Sequence, residues 1–156
     1  MPKRILTTIF LPHAPGRVWT VLADFGHYRD WNPLNLEASG EARTGAKVSM
    51  RFVNPARPGT TIRQTVTITR AEPGRLLAWR GHIPLLFTGD HLFELTPEAG
   101  GTRLTHSETL RGLFARRLSD EQIETQFVPA YEACNRALAA RLEALENVIP
   151  LRAARR

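Results

Sequence analysis

Ile123, Phe127, Tyr131, Cys134, Leu138, Leu142 and Leu145 recur at intervals of three and four, which places them on one face of a helix. Ser119 and Gln122 have capping-box spacing just before the stripe, with Asp120 and Glu121 in the first turn, where carboxylates suit the helix dipole. A helix from there to about residue 147 is roughly 40 Å long at 1.5 Å per residue. So long an apolar stripe must be covered, and the rest of the chain has to supply the cover. Pro129 lies inside the stripe and is expected to kink or locally break it, since its ring removes a hydrogen bond and crowds the preceding turn.

The covering surface is predicted to be a sheet. Ile5, Thr7, Ile9 and Leu11 alternate with Leu6, Thr8 and Phe10, a first strand that stops at Pro12. In "APGRVWTVLADF", Pro15 suits a first helical position, and Val18, Trp19, Leu22 and Phe25 follow at helical spacing. "GHYRDWNP" bends this into a second short helix. From about residue 34 to 109, runs of strand character are separated by "SGEARTG", "NPARPG", "AEPG", the Ile83–Pro84 stretch and "PEAGG". That pattern predicts a meander of about six strands. The expected architecture is an antiparallel sheet with a long helix across it.

Composition narrows the partners. The chain carries 21 basic and 15 acidic residues, and 42% of it is hydrophobic, ordinary for one globular domain. We expect that domain to span 1–148, with 149–156 a basic, flexible tail. Without Arg152, Arg155 and Arg156 the balance falls to 18 against 15. The remaining arginines are scattered, which argues against a nucleic-acid surface. The apolar opening "RILTTIFLP" is too short and too interrupted for a signal peptide or membrane span. The single Cys134 allows no internal disulfide and no cysteine-based zinc site, in keeping with a reducing cytoplasm. Phosphate loops, serine-centred nucleophile motifs and paired glycosidase carboxylates are not evident, and no cofactor is expected.

One strand puts a polar group where its neighbours point apolar ones. In "FTGDHLFEL", His91 shares a face with Phe93 and Leu95; in "GTRLTHSETL", His106 and Glu108 share a face with Leu104. A turn at "PEAGG" that sets Leu95 against Leu104 carries Phe93 opposite His106 and His91 opposite Glu108. A carboxylate there would favour a protonated imidazole and orient its ring. Three readings follow: an internally satisfied polar patch, a group that orients a ligand, or an acid–base pair of His91 or His106 with Glu108. Two His and one Glu lack a recognisable metal spacing, so no metal is expected. In "DWNP", Asn32 suits a turn cap, and Trp31 either packs a corner or closes a cavity end. Trp79 and Gly81 of "LAWRG" share one face; Gly81 is expected to leave room for ligand or helix. Cys134 reads as a small buried hydrophobe, and the Tyr131 hydroxyl needs a partner if buried.

The element order, together with "APGRVWTVLADFGHYRDWNP", "LAWRG", "GDHLFEL", "GTRLTHSETLRG" and the terminal helix, resembles the START and Bet v 1-like superfamily. Within it, the chain is similar to bacterial SRPBCC proteins of polyketide cyclase or dehydrase type. The resemblance spans about Ile5 to Leu145. It implies a helix-grip α+β fold: a curved seven-stranded antiparallel sheet around the long helix, two short helices after the first strand, and an apolar cavity between sheet and helix. Such a cavity would be lined by Trp31, Trp79, Gly81, His91, Phe93, His106 and Glu108 from the sheet side, and by Phe127, Tyr131, Cys134 and Leu138 from the helix. The leading expectation is binding of a small hydrophobic molecule: lipid, aromatic or polyketide-like. The alternatives are a metal-free cyclase or dehydratase and a protein or ribosome partner, because this fold hosts many functions. Two apolar segments, "HIPLLFTG" and "LRGLFARRLS", could form a mouth whose arginines make transient contact with an anionic membrane.

Overall fold

The computed structural model describes residues 1–154. Strand β1 (Lys3–Leu11) is followed by helix α1 (Pro15–Ala23) and a 3-10 segment, Phe25–Asp30. The meander then comprises β2 (Asn35–Ser39), β3 (Lys47–Val53), β4 (Thr61–Glu72), β5 (Leu76–Ile83), β6 (Phe87–Glu98) and β7 (Gly101–Arg111). All neighbours are antiparallel, in the order β1-β7-β6-β5-β4-β3-β2. The sheet curls around the C-terminal helix, as the family resemblance implies. Helices α2 (Leu113–Arg117), α3 (Asp120–Gln122) and α4 (Val128–Ala154) complete the chain. The tail expected over 149–156 lies outside the residues whose side chains are described.

The start of the long helix forms as its sequence dictates, then departs from it. Ser119 Oγ accepts from the Gln122 backbone N–H, and the Gln122 side chain accepts from the Ser119 N–H, a complete capping box. Pro129 does not break the helix. The preceding segment, Ile123–Phe127, is a π turn in which the Val128 N–H reaches back to the Ile123 carbonyl. A proline has no N–H to give and its ring crowds the turn before it; widening that turn by one residue removes the conflict without a break.

Two buried clusters meet under the sheet. In one, Leu138 and Leu142 of α4 pack with Val18 and Leu22 of α1, and with Phe25 and Tyr28, against Leu77, Trp79, Phe93 and Leu104. The other gathers Ile5, Leu34, Leu110, Leu118, Ile123, Phe127, Tyr131 and Cys134. The β5–β6 loop holds Leu85 at a φ of 65° with its side chain 86% exposed. Against this loop lies Gly112, whose φ of 102° suits glycine and whose added Cβ would meet the Leu86 carbonyl oxygen at 2.7 Å. Gly112→Ala is therefore expected to lower stability by about 2 kcal/mol in urea unfolding. A loss under about 0.5 kcal/mol would show that this backbone yields freely.

Candidate functional site

The turn between β6 and β7 sets Leu95 against Leu104, Phe93 against His106 and His91 against Glu108, the register the turn signal predicts. Both imidazoles are buried, His91 at 4% and His106 at 0% exposure. The His91 ring is stacked on Trp79 at 4.4 Å and 6°, with Tyr131 on α4 at 5.6 Å and 28°. His106 stacks on Phe93 at 4.2 Å. The rings are thus held by aromatic faces, and their nitrogens by one another.

The hydrogen bonds define their direction. Thr7 Oγ1 donates to the His106 carbonyl, so it accepts from Asn135 Nδ2 at 2.9 Å. That orients Asn135 Oδ1 toward His106 Nδ1, 2.8 Å away, which must carry a proton to donate. The neutral His106 ring then offers a lone pair at Nε2, and His91 Nε2, 2.7 Å away, must donate into it. This leaves His91 Nδ1 as a bare acceptor, 3.7 Å from Glu108 Oε2, beyond hydrogen-bond length.

The expectation that Glu108 would favour a charged His91 is corrected by burial. Desolvation lowers His91 to about 3 and raises Glu108 to about 8, with Asp90 adding repulsion. His106 is held well below its ordinary value by burial first and by His91 second, against the hydrogen bond it donates to Asn135. Although close enough to look like an ion pair, His91 and Glu108 are both neutral near pH 7, because removing each charge from water costs more than a partner at 3.7 Å returns.

A cavity of about 380 Å³ opens beside this pair, within the size range of small-molecule sites. Trp79, Gly81, His91, Glu108, Phe127 and Tyr131 line it, as expected. Phe127 ends the π turn, and Tyr131 follows one helical turn later. The other expected lining residues stand behind the wall or away from it. Phe93 and His106 form the layer next to His91. Cys134 packs in a core with its Sγ 3.5 Å from Asn32 Oδ1, its thiol pushed up to about 12 by burial. Leu138 packs under α1. Trp31 meets Tyr28 edge-on at 5.3 Å, the corner arrangement, while Asn32 Oδ1 accepts from the Leu34 and Asn35 N–H groups.

Gly81 also makes room for a neighbouring strand. The space where its side chain would be is taken by Gln64 of β4, whose Oε1 lies 2.7 Å from an ideal Cβ. Directly opposite, Gly89 leaves the same kind of space for Glu108, whose Oε1 lies 2.6 Å from its ideal Cβ. Both amide atoms of Gln64 are buried without a partner among the described residues. The signal for Gln64 was present: it is the polar member of the Ile62, Gln64, Val66, Ile68 face. Asn135 was equally marked, four residues after Tyr131 and three before Leu138.

The mouth is apolar, with Ile83, Leu86, Leu113 and Phe114 around it and the exposed Arg117 on its rim. Among the described residues, no helix is long and apolar enough to cross a membrane. No group of three or more His, Cys, Asp or Glu among them is placed to hold a metal ion.

The family described as "Polyketide cyclase / dehydrase and lipid transport" matches residues 3–143. No curated protein sequence matches the chain. Among solved structures, a START superfamily protein from Mycobacterium smegmatis is 14% identical, covers 91% of this chain and 98% of its own, and has a TM-score of 0.74. A protein from Thermus thermophilus is 15% identical, over 92% of this chain and 99% of its own, at 0.73. The di-domain ARO/CYC StfQ from the steffimycin biosynthetic pathway is 16% identical, over 94% of this chain and 52% of its own, at 0.70. At these identities the likeness is one of fold.

Proposed function

Since the chain belongs to the polyketide cyclase / dehydrase and lipid transport family, we propose that it binds a small hydrophobic molecule in the cavity between sheet and α4, with the polar end of that molecule at His91 and Glu108. The observation behind this reading is Glu108 itself: a cavity-lining carboxyl, its side chain 15% exposed, that hydrogen-bonds to none of the described residues. A polar group turned from bulk water into an apolar cavity without a protein partner costs free energy, and a ligand oxygen entering the cavity would satisfy it. The apolar mouth suits the rest of the molecule, and Arg117 would favour loading beside an anionic lipid surface.

Native mass spectrometry of the purified protein, repeated after denaturation, tests the reading. A small molecule released only on unfolding is expected; for emptied protein, N-phenyl-1-naphthylamine should bind one to one. An empty protein that leaves this fluorophore unbound would refute the cavity reading.

A second reading, a cyclase or dehydratase, draws support from one feature. Glu108 keeps its proton at neutral pH beside the bare Nδ1 of His91, so an acid and a base stand together at one wall. It predicts that His91→Ala abolishes turnover of a poly-β-ketone substrate while leaving its binding measurable. Parallel loss of both would favour the binding role.

A further inference from the structure

Resting on the cavity reading above, a second property follows from the direction of the hydrogen bonds behind its wall. The donors run one way, from His91 Nε2 to His106 Nε2, from His106 Nδ1 to Asn135 Oδ1, from Asn135 Nδ2 to Thr7 Oγ1, and from Thr7 back to the His106 carbonyl. The loop is closed by a backbone oxygen, which can only accept, so the chain cannot run in reverse while Thr7 makes that bond. Its free end is His91 Nδ1, which has a lone pair and no hydrogen. Beside it stands a carboxyl that can both donate and accept. Neither group is charged, and no described cation is hydrogen-bonded or ion-paired to Glu108, so a ligand carboxylate would be buried there uncompensated.

We infer that the inner end of the cavity is a hydroxyl site. A neutral alcohol, phenol or enol docks with its O–H donated to His91 Nδ1 and its oxygen beside Glu108, while His106 and Asn135, behind the wall, set that polarity as positioning residues. A ligand whose oxygen can only accept leaves His91 Nδ1 unpaired, and a buried acceptor without a donor lowers affinity. Asn135 therefore governs ligand choice without lining the cavity.

Three probes separate the contributions at pH 7: naphthalene, 2-naphthol and 2-methoxynaphthalene, titrated into the full chain by calorimetry. The native protein is expected to bind 2-naphthol about tenfold or more tightly than 2-methoxynaphthalene, whose oxygen has no hydrogen. Imidazole nitrogen-15 spectra should show His91 protonated at Nε2 and His106 at Nδ1. In Asn135→Leu, His106 loses its acceptor, and the naphthol preference should fall to about twofold or invert, with naphthalene affinity kept. Asn135→Asp keeps an acceptor facing His106 and should keep the preference. The milder Thr7→Val, which frees the Asn135 amide to turn, should weaken it even if Asn135→Leu does not fold.

Equal affinity of the native protein for 2-naphthol and 2-methoxynaphthalene, with naphthalene still bound, would overturn the hydroxyl site and leave the cavity reading standing. His91 protonated at Nδ1 would also overturn it. Failure of all three probes to bind folded protein would overturn both readings together.

Discussion

Glu108→Gln is expected to abolish a loss of about 2 kcal/mol in stability that the native protein suffers between pH 6.5 and pH 8. In the native chain burial lifts this carboxyl from its ordinary 4.5 to about 8, while the unfolded chain releases its proton near the ordinary value. The folded state therefore holds one proton more than the unfolded state across that interval. Rising pH then favours unfolding, by about 1.4 kcal/mol for each pH unit. The contribution is whole below about 4.5 and gone once pH has passed about 8. Glutamine has nearly the same shape and cannot ionise, so the difference between the two pH profiles isolates this one group. Urea unfolding of both proteins at pH 6.5, 7.25 and 8 measures it. Parallel profiles would mean that Glu108 is solvated and not a cavity-facing acid. Ligand binding should follow the same titration, fading above about pH 8 in the native protein and persisting in Glu108→Gln.

How far such a site can be read from sequence depends on how local its determinants are. The β6–β7 register was legible because a glycine-rich turn fixes pairing, and a period of two then fixes which side chains share a face. The capping box was legible for the same reason, being four residues long. Pro129 was recognised as a conflict, but the π turn that accommodates it leaves no mark in the local pattern, because Ile123 and Phe127, four residues apart, share a face in an ordinary α-helix as well. What escaped depends on partners distant in sequence. Gly81 makes room for Gln64 on the neighbouring strand, and His106 takes its tautomer from Asn135 across the core. The charge of the His91–Glu108 pair was misjudged because adjacency was visible in the sequence and depth was not. Cys134 and Leu138 share the helix stripe with Tyr131, yet they pack on core side chains, and among the described residues it is the N-terminal part of α4 that borders the cavity.

His91, His106 and Glu108 together are expected to give the chain a stability maximum near pH 6.5. His91 is held down to about 3 and His106 well below its ordinary value of 6.5, so both remain neutral in the folded protein well into acid. In the unfolded chain each takes up a proton as pH falls through about 6.5. For these two groups the unfolded state binds more protons, so their contribution to stability is present above 6.5 and is lost on acidification. Glu108 acts in the opposite sense over the same range, since its unfolded form is still gaining a proton that the folded form already holds. Two losses and one gain leave a net fall in stability on acidification between pH 6.5 and 5. In Glu108→Gln the opposing group is absent, and the fall should steepen. In His91→Gln one loss is removed, and the profile should become shallower. Exposed carboxylates held low by arginines, such as Glu37 and Glu98, lose their pairing mainly below their ordinary 4.5 and so leave this window clear. Chemical unfolding at pH 6.5, 5.75 and 5 reads all three slopes. If the native protein and Glu108→Gln fell equally, the two histidines and the carboxyl would not share one buried site, and the neutral wall on which both ligand readings rest would be lost.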